Sequence, residues 1–132
     1  MRKLGKRRGR ASAAVEMAVV TPLLLTLLFG IIEYGWTLSV RQSMVSAARE
    51  GARVASLPGS SDSDIRSRVQ EYLTPMGLTG QVTLQRAVLP DNPTEKVTVT
   101  IPYSQVSLLG GYFGSTNFNL ASTCSMRKEG AD

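Results

Sequence analysis

Two glutamates in a long apolar stretch are the residues that most need a chemical explanation. Glu16 and Glu33 enclose 16 consecutive residues without a charge, residues 17–32. A carboxylate at the middle of a bilayer costs on the order of 2.5–3.5 kcal/mol, and less near the boundary. Each glutamate therefore either lies at a headgroup boundary or meets a partner inside lipid. For Glu16 that partner would carry a positive charge, and one candidate is a free α-amino group at the start of a processed neighbouring chain. For Glu33 it would be another helix.

The commonest catalytic and metal-binding side chains are missing from the sequence. The chain has no histidine and a single cysteine, Cys124, so an intrachain disulfide, a Cys/His metal site and a His-based triad are excluded within one chain. There is no glycine-rich phosphate loop and no acid/base pair at an informative spacing. We therefore expect no enzymatic activity, no cofactor and no metal. Cys124 is predicted to be a buried small hydrophobe in a strand, with a reactive or intermolecular thiol as the alternative.

Positive charge is concentrated at the N-terminus. The net charge is +5, but six of the 15 basic residues precede Ala11, which leaves nine against 10 acidic residues in the rest of the chain. A near-neutral body disfavours nucleic acid as a partner. A basic cluster directly before an apolar span instead keeps the N-terminus cytoplasmic. The cluster consists of Arg2, Lys3, Lys6, Arg7, Arg8 and Arg10.

The apolar stretch is long enough to cross a membrane. Residues 11–40 would form a helix of about 45 Å, against a hydrocarbon core of about 30 Å. Tyr34 and Trp36 fit the aromatic belt at the far interface. A cleaved secretory signal is disfavoured, because no A-x-A site follows and the helical pattern continues. The predicted core of the span includes Met17, Pro22, Leu25, Phe29 and Ile32, with a kink or local loosening at the proline.

The periodicity of the sequence predicts an α+β fold. We expect a leader at residues 1–11, a transmembrane helix at 12–40 and an extracytoplasmic domain at 41–132. In that domain the long helix continues to about residue 57 with a small-residue apolar face, and Ser61 or Asp62 caps a second, short helix. Period-two patterns then predict three strands, which form an antiparallel sheet on the amphipathic half of the long helix. The strands are expected around Val82 and Leu84 with a possible extension to Val88, around residues 97–101, and around residues 118–126, with a turn at 90–93 and a loop at 108–114.

Four short segments follow one another in a characteristic order. They are ASAAVEM at residues 11–17, PLLL at 22–25, GIIEYG at 30–35 and AAREGAR at 47–53. This set, behind a basic leader, resembles the TadE-like family, the minor pilins or pseudopilins of the tight-adherence (Tad/Flp) pilus, a branch of the type IV pili. The resemblance is strongest over residues 9–56. Residues 97–101 and 120–127 resemble the final strands of that family.

The resemblance implies a processing step and a set of partners. A membrane-embedded prepilin peptidase would cut between Ala11 and Ser12, so that Glu16 becomes the fifth residue of the mature chain. The family usually has glycine before the cut and an aromatic residue after the glutamate, where this chain has Ala11 and Met17. The partners implied are the lipid bilayer, other Tad pilins or minor pilins, and the pilus assembly platform. The place implied is the bacterial inner membrane, crossed once, with the C-terminal domain periplasmic or extracellular.

The charged residues of the AREGAR segment carry a further expectation. Glu50 and Arg53 are three residues apart and can pair on the helix surface, which is worth about 0.2–0.5 kcal/mol. Arg49, Glu50 and Arg53 would either cap the domain or contact another subunit, and Glu33 is a further candidate contact.

Two functions remain open from the sequence. The first is a non-enzymatic, membrane-anchored minor pilin that supports assembly of a Tad-type pilus. The second is a single-pass envelope domain that binds something else and never enters a filament. Removal of the leader, with Ser12 as the first residue, distinguishes them.

Overall fold

The computed structural model describes residues 5–86, 93–114 and 116–129, with side chains from residue 11 onward. The chain divides into two compact units, Met1–Gly35 and Trp36–Asp132. The elements in chain order are α1 (Gly5–Ser56), α2 (Asp62–Leu73), a 3₁₀ turn (Thr74–Met76), β1 (Gln81–Gln85), β2 (Thr94–Pro102), α3 (Tyr103–Val106) and β3 (Asn119–Arg127). The fold is α+β, as the periodicity predicts.

Helix α1 begins inside the basic leader and continues without interruption past Pro22. Proline lacks the N–H that a helix interior requires, so one backbone hydrogen bond is missing at this point. Separately, the Thr26 hydroxyl donates to the Pro22 carbonyl oxygen over 2.8 Å, so this polar side chain has a partner within the helix itself. The helix ends at Ser56, one residue before the predicted end, and Pro58 follows two residues later.

Helix α2 begins with a capping box. The Ser61 hydroxyl accepts the backbone N–H of Asp64 over 3.2 Å, and the Asp64 carboxylate accepts the backbone N–H of Ser61 over 3.1 Å. Two N–H groups that a helix start leaves without partners are thus satisfied. The N-cap is therefore Ser61. The sequence had predicted either Ser61 or Asp62 in this role. Ile65, Val69 and Leu73 form the buried face of the helix.

The three strands form one antiparallel sheet in the order β1-β2-β3. Val82 and Leu84 lie opposite Val99 and Val97, so the inward-facing residues of β1 and β2 share one face. On the other side of β2, Val97 lies opposite Cys124 and Ile101 opposite Leu120. Strand β2 is therefore central, and β1 and β3 are the two edges.

The hydrophobic core lies in the unit Trp36–Asp132. The small-residue face predicted for the second half of α1 is buried there with residues from α2 and from the sheet, as expected for an amphipathic helix packed on a sheet. The fully buried side chains of α1 are Val40, Met44, Ala47, Ala48 and Ala52, and those of the sheet and α2 include Val97, Val99, Ile101, Ile65, Val69 and Leu73.

The structure differs from the sequence-based expectations at the third strand. Phe118 precedes β3, which begins at Asn119. Cys124 is half-buried, whereas the sequence predicted a buried thiol. The physical reason is that β3 is an edge strand: the side chains on its inward face are all half-buried, and none is fully covered. Val88 and residues 90–92 of the predicted turn lie outside the described residues.

Candidate functional site

The apolar half of α1 exposes large hydrophobic side chains on every side. Met17, Leu25, Phe29 and Ile32 are all exposed, as are most of their apolar neighbours in residues 15–32. Within the described residues, one helix is long and apolar enough to cross a membrane, and this stretch forms its apolar part. A helix that is hydrophobic all round and not covered by protein suits a lipid environment.

Glu16 lies one helical turn after the predicted cleavage position. The Ser12 hydroxyl donates to Glu16 Oε1 over 3.5 Å, at the long limit of a hydrogen bond. Ala11, Ser12 and Glu16 are all exposed. Among the side chains that the structure describes, the Ser12 hydroxyl is the one recorded polar contact of Glu16, and the carboxylate is exposed.

Glu33 is enclosed by other residues of the chain. Its side chain is buried, with 6% of its surface accessible. The neighbouring Tyr34 is exposed, as expected for a residue of the aromatic belt.

The charged residues of the AREGAR segment form a network that reaches a second helix. Arg53 Nη2 lies 2.6 Å from Glu50 Oε1, and Arg68 Nη2 of α2 lies 3.2 Å from the same oxygen. Arg68 in turn places Nη1 2.6 Å from Glu71 Oε2 and its guanidinium carbon 5.6 Å from the centre of the Tyr72 ring. Of the four charged side chains in this network, that of Glu50 is the least exposed, at 16%. It therefore ties α2 to the domain half of α1.

Electrostatics within this network favour the charged forms. The Glu71 and Glu50 carboxylates raise the pKa of the Arg68 guanidinium, with the Glu71 hydrogen bond the larger cause. At the start of α2, the Ser61 hydroxyl and backbone N–H lower the pKa of the Asp64 carboxyl. Both effects come from hydrogen bonds to the ionised side chain.

Gly51, inside the same segment, marks the closest approach of three elements. A Cβ at this position would lie 2.6 Å from Val69 Cγ2 of α2 and 3.2 Å from Val97 Cγ1 of β2. Carbon atoms normally approach to about 3.5–4.0 Å. Only glycine therefore lets α1, α2 and the sheet pack this closely.

Arg49 is the residue of this segment that faces away from the network. It is exposed and forms no ion pair with any residue that the structure describes. Three residues of the segment are predicted to contact another subunit. Glu50 and Arg53 form an ion pair with each other, whereas the exposed side chain of Arg49 is accessible to another molecule.

A shallow groove between α2 and β1 contains polar groups that are engaged in holding these elements together. Arg66 Nη1 donates to the Val82 carbonyl over 2.6 Å. The Gln70 amide donates to the Leu78 carbonyl over 2.8 Å and accepts the Gly80 N–H over 3.4 Å. These contacts fasten the start of the sheet to α2.

Sequence reasoning missed the part that three residues play in organising the domain, although it had assigned one of them, Trp36, to the aromatic belt. Arg68 is the inter-helix partner of Glu50, and Trp36 donates its Nε1–H to the Val106 carbonyl over 2.9 Å. Glu95, on the core-facing side of β2, is 2% exposed. Only Glu95 had a local signal, because it lies two residues before Val97 in a period-two strand. The other two contacts join residues far apart in sequence.

Comparison with known proteins gives one family. Residues 11–53 match the model of the family described as TadE-like protein. No curated protein and no solved structure matches the chain. The matched range contains the apolar part of α1 and ends at Arg53. It thus covers Glu16, Glu33, the Glu50–Arg53 pair and Gly51. The resemblance to the TadE-like family is confirmed over these residues.

Proposed function

We propose that the chain is a membrane-anchored minor pilin, or pseudopilin, that supports assembly of a Tad-type pilus and has no enzymatic activity. One observation carries the proposal: a charge-free helical segment with exposed apolar side chains on all sides continues into the helix of a folded α+β unit. Lipid can solvate the first part while water solvates the second. The match of residues 11–53 to TadE-like proteins supports a role in the pilus.

The basic leader supports one orientation. Six basic residues precede Ala11, and the rest of the chain is nearly neutral. Cytoplasmic segments next to a span carry an excess of Lys and Arg. In this proposal the chain crosses the bacterial inner membrane once, with residues 1–11 in the cytoplasm, a span that begins at residue 12, and the unit Trp36–Asp132 outside the cytoplasm. The sequence predicts that the span ends at residue 40, but Val40 is buried in the core of that unit, so we place the end of the span before Trp36.

Glu16 has a proposed role in choosing a neighbour. After cleavage between Ala11 and Ser12 by a prepilin peptidase, each mature chain would begin with an ammonium group. A carboxylate and an ammonium group attract strongly where the dielectric constant is low, although the cost of desolvating both offsets much of the gain. The pair would therefore fix the register of adjacent subunits more than it would stabilise the assembly. The exposed carboxylate of Glu16 is compatible with such a partner.

The outward-facing Arg49 gives the domain a candidate contact with another subunit or with the assembly platform. It follows Ala48 and precedes Glu50 on α1, so its position is fixed by two residues packed into the domain. A guanidinium on a rigid helix suits recognition of a carboxylate on a partner.

Two measurements test the proposal. Mass spectrometry of the protein purified from membranes should show Ser12 as the first residue. Glu16→Ala should leave membrane insertion and cleavage intact but reduce the amount of this subunit that copurifies with sheared pili. Glu129→Ala is the matched control, because that side chain is exposed at the far end of β3.

Two results would contradict it. Normal copurification of the Glu16→Ala variant would remove the role of Glu16. An uncleaved chain, firmly in the membrane but absent from every pilus preparation, would favour an anchored envelope domain that binds something else.

A further inference from the structure

The loop after α3 exposes an unusual number of apolar side chains for the surface of a small domain. Its described residues are 107–114 and 116–118, between α3 and β3. Leu108, Tyr112, Phe113 and Phe118 are 54%, 67%, 47% and 48% exposed. Large exposed apolar groups that cluster in one loop usually mark a contact with another molecule or a membrane.

Contacts between Tyr103 and Phe118 close the loop at its base. The Tyr103 N–H donates to the Phe118 carbonyl over 2.9 Å, and the two rings stack with their centres 4.4 Å apart. At the tip, the rings of Tyr112 and Phe113 meet edge to face at 5.0 Å. Gly110 and Gly111 beside them have φ angles of 57° and 89°, which side chains with a Cβ rarely adopt. The backbone thus presents the two rings on a tight turn.

No charge lies in or near the loop sequence. From Val97 to Met126 the chain has no Asp, Glu, Lys or Arg. The largest cost of moving a segment into a less polar medium is the loss of water from ionised side chains. The loop has no such side chain, so it does not incur this cost. The absence of basic residues in it also means that attraction to anionic headgroups is not involved.

The base of the loop is tied to the residue at which the chain enters the domain. Trp36 is the first residue of the unit Trp36–Asp132. Its indole N–H donates to the carbonyl of Val106, a buried residue just before the loop. In the sequence, Trp36 comes four residues after Ile32, the last residue of the charge-free segment. The loop thus starts at the end of the domain that is nearest, along the chain, to the proposed span.

We propose that the loop is a second membrane contact, in which Leu108, Tyr112 and Phe113 insert into the headgroup region of the bilayer that the apolar helix crosses. Tyr112 suits this region because its ring is apolar and its hydroxyl can stay hydrated, and Leu108 and Phe113 add apolar surface. Side chains at such a depth lie about 5–10 Å into the boundary between headgroups and acyl chains. The contact would restrain the tilt of the domain before the subunit leaves the membrane. It rests on the proposed membrane anchoring.

Nitroxide labels on the full-length protein in phosphatidylcholine nanodiscs test this contact. In a Cys124→Ser background, single labels are placed by Phe113→Cys in the loop, Leu25→Cys in the span and Ser63→Cys at the start of α2. Collisions with oxygen, which concentrates in lipid, and with a water-soluble nickel chelate are then compared. The label at 113 should give a ratio of oxygen to nickel accessibility several-fold above that at 63. The ratio should not change with salt.

The label at 25 separates failure of this inference from failure of the anchoring. A lipid-exposed label at 25 with equal ratios at 113 and 63 overturns the loop contact alone. A water-exposed label at 25 overturns the anchoring and the loop contact together. A label at 113 that is shielded from both reagents indicates burial against protein and also overturns the proposal. Trp36 fluorescence checks folding of each variant, and a Cys124→Ala background repeats the measurement.

Discussion

Gly51→Ala should destabilise the domain even though alanine is the better helix former. The added methyl group would lie 2.6 Å from Val69 Cγ2 and 3.2 Å from Val97 Cγ1. Both valines are fully or almost fully buried. The nearer contact falls about 1 Å short of an ordinary carbon–carbon separation. Valine cannot move its methyl groups away easily, because its χ1 angle is stiff.

The magnitude follows from two opposing terms. Replacing glycine by alanine within a helix gains about 0.8–1.0 kcal/mol. Forcing an extra methyl group into a packed core costs about 1–3 kcal/mol. Since the methyl meets two β-branched side chains on two different elements, we expect the cost to exceed the gain. The net loss should be about 1–2 kcal/mol. For a domain of this size, each kcal/mol lowers Tm by about 4–8 °C.

Thermal unfolding of the full-length protein in detergent micelles measures this loss. Trp36 is the only tryptophan in the sequence, and its indole is hydrogen-bonded to Val106, so its fluorescence reports on the folded domain. Gly35→Ala is the matched control in the same helix, because a Cβ there meets nothing within 4 Å. Gly35→Ala should not lower Tm.

A second substitution sharpens the test. Val69→Ala removes the methyl group that the new Cβ of Gly51→Ala would meet. The double variant should therefore lose less stability than the sum of the two single variants. If Gly51→Ala raises Tm as a simple gain in helix propensity would, the close approach of α1, α2 and β2 is refuted.

Three further predictions concern the attachment and capping of α2. In a double-mutant cycle with Glu50→Gln and Arg68→Gln, urea unfolding should show a coupling of about 0.2–1 kcal/mol, and additive losses would contradict the inter-helix pair. Ser61→Ala should lower the free energy of unfolding by about 1 kcal/mol through loss of the cap, whereas Ser67→Ala on the exposed face of α2 should not lower it. The lowered pKa of Asp64 stabilises the fold above the ordinary value of 3.8, and this contribution is lost as pH falls through the lowered pKa. Asp64→Asn should therefore weaken the dependence of stability on pH below about 4, and an unchanged acid limb of the denaturation curve would exclude that role.

Much of the architecture follows from local patterns. The charge-free run between Glu16 and Glu33 predicts an apolar helical segment, because no water-facing stripe interrupts it. The alternation of Val97, Val99 and Ile101 predicts the central strand, since a period of two places these side chains on one face. Such signals need only neighbours in sequence, and the structure has the helix and the strand where they predict them.

The edge strand shows where local patterns become insufficient. Cys124 alternates with polar residues as a buried strand residue would, yet it is only half covered. Periodicity indicates which face a side chain occupies. It does not indicate how far a helix extends over that face, because this depends on the order of strands and on the width of the helical layer.

By itself, the sequence determined the apolar segment, its charged flank, the small-residue face of α1 and the presence of three strands. Tertiary structure decided which of these residues meet. It gave Glu50 a second partner in Arg68, placed Gly51 against Val69, and joined Trp36 to Val106. Each of these contacts closes a loop of 18 to 70 residues. No short-range pattern encodes such contacts, because they depend on how separate elements pack and not on the conformation of either element alone.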